Sequence, residues 1–176
     1  NTSVTISVTL STYNGSTFIA SASKNVVANV PSSVVPSISS FTATIAANGL
    51  SGLYVQGKTT AKLSVSASAG DGADIASYLY SGPDVYVSTT SNNITTGSIQ
   101  YSGTLTYTVQ VTDTRGRSAS ALTQIYVHQY SIPAMGSVSV SRCDANGNLT
   151  ESGTYAKYTI NSTYADVGWK NTRTIT

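Results

Sequence analysis

Hydrophobic and polar residues alternate along most of this chain with a period of two. Val4, Ile6, Val8 and Leu10 fall on one face, and Thr5, Ser7, Thr9 and Ser11 on the other. That is the pattern of a half-buried strand. Asn14-Gly15 follows, a dipeptide that accepts positive φ at both positions and so predicts a two-residue hairpin turn. A return strand over residues 16–27 alternates through Phe18, Ala20 and Ala22. Two strands alone are barely stable in water. The hairpin is therefore expected to be the closing part of a β domain, with its linker covering residues 1–35 and the rest lying upstream. Val30-Pro31 and Val35-Pro36 mark that linker, because each proline holds the residue before it extended.

From Ile38 the alternation resumes. It predicts strands over 38–45, 60–68, 75–80, 85–88, 94–99, 105–111 and 119–127. Residues 48–53, 69–73, 81–83 and 113–117 are loop and turn material, rich in Gly, Asp, Asn and Ser. Seven short strands between residues 36 and 130 match the count and spacing of an immunoglobulin-like sandwich. Val65, Val109, Val111, Ile125 and Val127 are its expected inner face. A second linker, Tyr130-Ser131-Ile132-Pro133, opens residues 131–176. Strands around Val138 and Val140, over 155–160 and over 172–176 are too few to close another sandwich.

A weak internal repeat runs under this pattern. Val35-Pro36 recurs as Ile132-Pro133, and Gly52-Leu53-Tyr54 as Gly153-Thr154-Tyr155, at offsets of about 97 to 101 residues. The expected architecture is all-β, with immunoglobulin-like β-sandwich modules in tandem. The chain then reads as the end of one module, one whole module and the start of a third.

Composition narrows the function. Only 9% of residues are charged and the formal net charge is +2. Nucleic-acid binding needs a basic patch that this chain does not provide. Nothing approaches the run of apolar residues that a membrane-spanning helix needs. One cysteine excludes an internal disulfide framework. Ser and Thr fill 55 positions, largely the outward half of the alternating strands.

Candidate chemistry is sparse. His128 is the sole histidine and ends a predicted strand beside a linker. No nucleophile elbow accompanies it. Cys143 lacks the companions of a zinc site. Asp144, Asn146 and Asn148 have the spacing of a calcium loop at first, but Leu149 and Tyr155 stand where that loop needs Gly and Glu. Carboxylates total only seven, and Glu151, the sole glutamate, sits in a predicted loop, which argues against the paired acids of a glycoside hydrolase. No catalytic residue, metal or cofactor is expected. Two surface contacts remain as candidates. Arg115 and Arg117 put two cations on one turn and suit a phosphate-bearing polymer such as a teichoic acid. Tyr78, Tyr80, Tyr86 and Tyr101 fall in the middle of the complete module and suit stacking on a glycan.

Several phrases carry a family resemblance. Tyr13-Asn14-Gly15-Ser16-Thr17 and Val30-Pro31-Ser32-Ser33-Val34-Val35-Pro36 are two of them. Gly52-Leu53-Tyr54-Val55-Gln56-Gly57-Lys58, Val111-Thr112-Asp113-Thr114-Arg115-Gly116-Arg117 and Arg142-Cys143-Asp144 complete the set in the same order. Together they resemble minor structural proteins of tailed phages of Gram-positive bacteria, which are tandem immunoglobulin-like proteins of the tail or tail fibre. The resemblance implies a non-enzymatic spacer located in the virion tail, outside the cell. Its partners would be other tail or fibre proteins, copies of itself and host cell-wall polysaccharide, with neither nucleic acid nor membrane among them. A stalk or adhesive segment on a bacterial surface and an accessory glycan-binding module are the alternatives.

Overall fold

The computed structural model describes residues 2–50 and 52–175. Every regular element among them is a strand. In order they are β1 (Ser3–Asn14), β2 (Thr17–Asn29), β3 (Ser37–Ala47), β4 (Tyr54–Val55), β5 (Thr60–Ser68) and β6 (Ile75–Gly82). There follow β7 (Val85–Thr89), β8 (Asn93–Ser98), β9 (Gly103–Asp113), β10 (Ser118–His128), β11 (Ala134–Cys143) and β12 (Tyr155–Thr163). They form four sheets, in the orders β1-β2, β4-β10-β9-β6-β7, β3-β5-β8 and β11-β12.

The chain divides into two compact units. The first holds residues 1–44, 62–96 and 106–124, and the second holds 45–61, 97–105 and 125–176. In the first unit, β6 lies between β7 and β9, both antiparallel to it. Tyr78 pairs with Val111, and Tyr80 with Val109. These four residues point inward, and with Leu63, Val65 and Tyr107 they form a core less than a tenth exposed. The ring of Phe41 on β3 meets that of Tyr80 on β6, centroids 6.2 Å apart. Two sheets therefore face each other here, as in a β-sandwich. Outward positions on β9 and β10 carry Thr106, Gln110, Ser118 and Ser120, and Gln124 Nε2 donates to Thr106 Oγ1 at 2.9 Å.

The β1–β2 hairpin belongs to the same unit, and nearly all of its residues are exposed. Its loop is Gly15-Ser16, one residue beyond the expected Asn14-Gly15, since Asn14 pairs with Thr17. Gly15 takes φ 59°, the position where a two-residue turn of the primed kind requires it.

The second unit buries Val55, Ala61, Ile99, Leu105, Ile125 and Val127. All five valines and isoleucines expected inside are inside. Thr59 is fully buried and knits the loop before β5. Its hydroxyl accepts the Val55 amide at 2.9 Å, and its carbonyl accepts the Ile99 amide at 3.0 Å. β4 is too short for alternation to reveal. It pairs parallel with β10, Tyr54 opposite Val127. β11 and β12 form an antiparallel hairpin with Val140 opposite Tyr158. The strand expected over 172–176 is not formed by residues 172–175, and Thr176 lies outside the described residues. Among the described residues no strand pairs with that segment. Arg173 instead reaches Ser162, Nη1 to Oγ 2.8 Å.

Candidate functional site

Alternation ends β9 at Asp113 and restarts β10 at Ser118, so the turn between them must reverse the chain in four residues. Asp113 builds it. Its Oδ1 accepts the backbone N–H groups of Arg115 and Arg117, both at 2.9 Å. Gly116 donates its N–H to the Asp113 carbonyl at 2.9 Å and takes φ 81°. Oδ2 accepts from Arg115, Nε at 3.1 Å and Nη2 at 3.0 Å. Both side chains are essentially sealed from solvent, 0% exposed for Asp113 and 2% for Arg115. Burial alone would raise the Asp113 pKa. The Arg117 amide, then the Arg115 side chain and amide, outweigh it and hold the carboxyl below its ordinary value of 3.8.

The two arginines then reach in different directions. Arg115 donates through Nη2 to the Gly70 carbonyl at 2.7 Å and through Nη1 to that of Asp71 at 3.4 Å, fixing the loop between β5 and β6. Arg117 reaches the linker between β2 and β3. Its Nη1 donates to the carbonyls of Pro31 at 2.6 Å and Val34 at 2.8 Å, and its Nη2 to that of Val30 at 2.8 Å. The linker is itself folded, with the Val34 amide donating to the Pro31 carbonyl at 3.1 Å. Val30 also ties back to the start of β1, its amide donating to the Thr2 carbonyl at 2.8 Å.

This placement corrects the reading of Arg115 and Arg117 as a contact for an anionic polymer. A planar fork with five donors can serve a phosphate or a set of carbonyls, and here the carbonyls have both forks. The tyrosine reading is corrected as well. Tyr78 and Tyr80 are 8% and 0% exposed, so they cannot stack on a sugar. Burial, and then the neighbouring Tyr78, pushes the Tyr80 hydroxyl up to about 12. It donates to the Ser91 carbonyl at 3.3 Å. Tyr86 and Tyr101 are exposed, one in each unit.

In the second unit Gln56 is a hub. Its amide donates to the His128 carbonyl at 2.9 Å, its Nε2 to the Gln100 carbonyl at 2.9 Å, and its Oε1 accepts the Tyr130 amide at 3.3 Å. Lys58 Nζ sits 5.1 Å from the Tyr130 ring centroid. The loop after β12 reaches the same region with Val167 fully buried. At Gly168, φ is 57°, and a Cβ there would fall 2.8 Å from Leu53 Cδ1 and 3.2 Å from His128 Cε1. Only glycine fits on both counts. His128 thus packs, with its ring edge-on to Tyr126 at 5.0 Å. Cys143 is a buried free thiol.

Asp144 builds its own turn. Its Oδ1 accepts the Asn146 and Asn148 amides, each at 2.9 Å, and its Oδ2 the Asn148 side chain at 3.0 Å. Asn148, by side chain first and then backbone, holds this carboxyl low. Among the described residues no three His, Cys, Asp or Glu side chains cluster as metal ligands. An open cavity of about 440 Å³ lies beside Tyr130, Met135, Tyr164 and Arg173, and no carboxylate, His or Cys lines it.

Sequence reasoning missed Gln56, Gly168 and the target of Arg117. The phrase Asp-x-x-Gly-x, at Asp113 and again at Asp144, signals the turn but not what Arg117 reaches from it.

These features define an all-β protein whose charged turn is spent on fixing its own linker. The chain belongs to a phage family: residues 1–171 match the siphovirus proteins of unknown function designated DUF859. No curated protein matches the chain.

Proposed function

We propose that this chain is a non-enzymatic structural segment of a siphovirus tail or tail fibre, a rigid spacer built from immunoglobulin-like modules. The observation that carries the reading is the Arg117 fork on the carbonyls of Val30, Pro31 and Val34. A linker held at three backbone acceptors cannot act as a hinge, and a spacer needs that property. The strand orders fit as well. β3-β5-β8 corresponds to the A, B and E strands of an immunoglobulin-type sandwich, and β10-β9-β6-β7 to G, F, C and C′. The partners in this reading are other tail or fibre proteins and copies of the chain. Host cell-wall polysaccharide is a further partner in this reading, with the exposed Tyr86 and Tyr101, not the buried Tyr78 and Tyr80, as the side chains that would meet it.

Two measurements test the reading. Antibodies against this chain should decorate the tails of intact virions; labelling confined to the head, or none, would overturn it. Arg117→Ala should release the linker, with backbone order parameters over residues 30–36 falling from rigid values toward the flexible range. Unchanged order there would remove the rigidity argument. The stability cost is expected to be about 1–3 kcal/mol, because three carbonyls lose their donor.

A further inference from the structure

In the first unit the strands β10-β9-β6-β7 form one sheet whose inner face is the core. Its outer face consists of exposed and half-buried side chains. All four strands lie well inside the chain, with further strands before and after them in sequence.

The register sets out this face. Tyr86 on β7 stands opposite Ser81 on β6, and Ser81 opposite Thr108 on β9. Gln124 Nε2 donates to Thr106 Oγ1 at 2.9 Å. That bond brings Leu122, two residues earlier on the same side of β10, beside Thr108. One row therefore crosses the sheet as Leu122, Thr108, Ser81 and Tyr86. Its two ends are apolar and open, with Leu122 65% and Tyr86 79% exposed. Its middle is hydroxyl. Three strand spacings separate the ends, about 14 Å. In the next row Gln110 stands opposite Leu79 and adds an amide.

No outward position of these strands within the unit carries a charge. Nucleic acid and phosphate-bearing polymers need cations, which this face lacks. Cores of protein interfaces are poor in Ser and rich in aromatic side chains and Met, whereas this face is mostly Ser and Thr. An uncharged sugar chain has the matching needs. It takes neutral donors and acceptors at close spacing, and its C–H faces rest on rings with a polar tip.

We propose that this outer face binds an uncharged polysaccharide, its sugars running across the strands from Tyr86 to Leu122. The Tyr86 ring stacks on one sugar, Leu122 meets the apolar face of another, and Ser81 and Thr108 bond the hydroxyls between them. The proposal rests on the reading of wall polysaccharide as a partner. It gives that partner one face and a ligand without charge.

Amide NMR spectra of the chain, titrated with Gram-positive wall polysaccharides freed of phosphate by hydrofluoric acid, test it. Saturable shifts should appear over residues 77–88 and 106–124. Their midpoint should be the same in low and high salt, since no charge is engaged. Tyr86→Ala should weaken binding about tenfold, the worth of one stacked ring. Thr108→Arg places a long side chain in the middle of the row and should abolish binding. Unchanged circular dichroism spectra for both variants separate lost binding from lost folding. Saturation with shifts around Tyr101 instead, or Tyr86→Ala binding like the wild type, would overturn this site and keep polysaccharide as a partner. Saturation by none of the polysaccharides would overturn both. Binding only before the phosphate is removed, or affinity that falls steeply with salt, would assign the face to an anionic polymer and overturn the proposal. The same shifts on concentrating the chain alone would assign the face to a second copy, with the same result.

Discussion

Two turns in this molecule share one design and end in different outcomes. Asp113-Thr114-Arg115-Gly116-Arg117 and Asp144-Ala145-Asn146-Gly147-Asn148 each place a carboxylate oxygen on the amides two and four residues ahead. The glycine amide of each returns to the aspartate carbonyl, and the two glycines take φ 81° and 80°. The aspartate amide of each donates to the carbonyl four residues on, at 2.9 Å in both. The backbone problem is solved identically. The difference lies in the second and fourth side chains after the aspartate. Two asparagines are too short to leave the turn, and Asn148 folds back on Asp144. Two arginines extend past it and hold the β5–β6 loop and the linker. The staple is a local device, and its side chains decide whether it also organises distant chain.

The largest effect should come from Asp113→Ala. It removes the acceptor for two amides and strands the sealed Arg115 guanidinium, which is strongly destabilising for a buried charge. Thermal unfolding should shift down further for Asp113→Ala than for Arg117→Ala or Asp144→Ala. Equal shifts for the two aspartates would mean that the arginines add nothing to the staple.

Acid should separate the turns next. Both carboxyls titrate below their ordinary value of 3.8. A depressed carboxyl stabilises the fold above its unfolded pKa, and that contribution is lost as pH falls through the folded value. Both contributions are therefore present at neutral pH and fade below about 3.8. Only protonation of Asp113 also loosens Arg115, so Asp113→Asn should flatten the acid limb of a stability curve more than Asp144→Asn does. An unchanged acid limb in Asp113→Asn would contradict this assignment. The smallest effect belongs to Asn148→Arg. The longer side chain gives up the one bond from Asn148 Nδ2 to Asp144 Oδ2, so stability should change by about 0.5–1.5 kcal/mol or less. A marked stabilisation would show that the second turn has a distant target of its own.

Much of the fold was legible because alternation is a direct consequence of burying one face. Val65, Val109, Val111, Ile125 and Val127 declared themselves that way. Tyr78 and Tyr80 declared a shared face but not which one, because a ring with a polar tip serves a core as well as a surface. Arg117 was visible as a cation on a turn. Its target was not, since the linker carbonyls lie more than eighty residues away in sequence and backbone carbonyls look the same in every sequence. Gly168 was invisible for a related reason: its need arises from Leu53 and His128, which only the fold brings near. The strand expected over 172–176 shows the limit of reading alternation alone, because a strand also needs a neighbour to pair with.

The outward row of β9, Thr104, Thr106, Thr108, Gln110 and Thr112, has a consequence for the medium in which the protein works. Hydroxyl groups hold water without carrying charge, so a change of ionic strength has little to screen on this surface. Approach to another body is neither accelerated nor repelled at a distance. The same geometry is therefore presented in dilute and in saline surroundings.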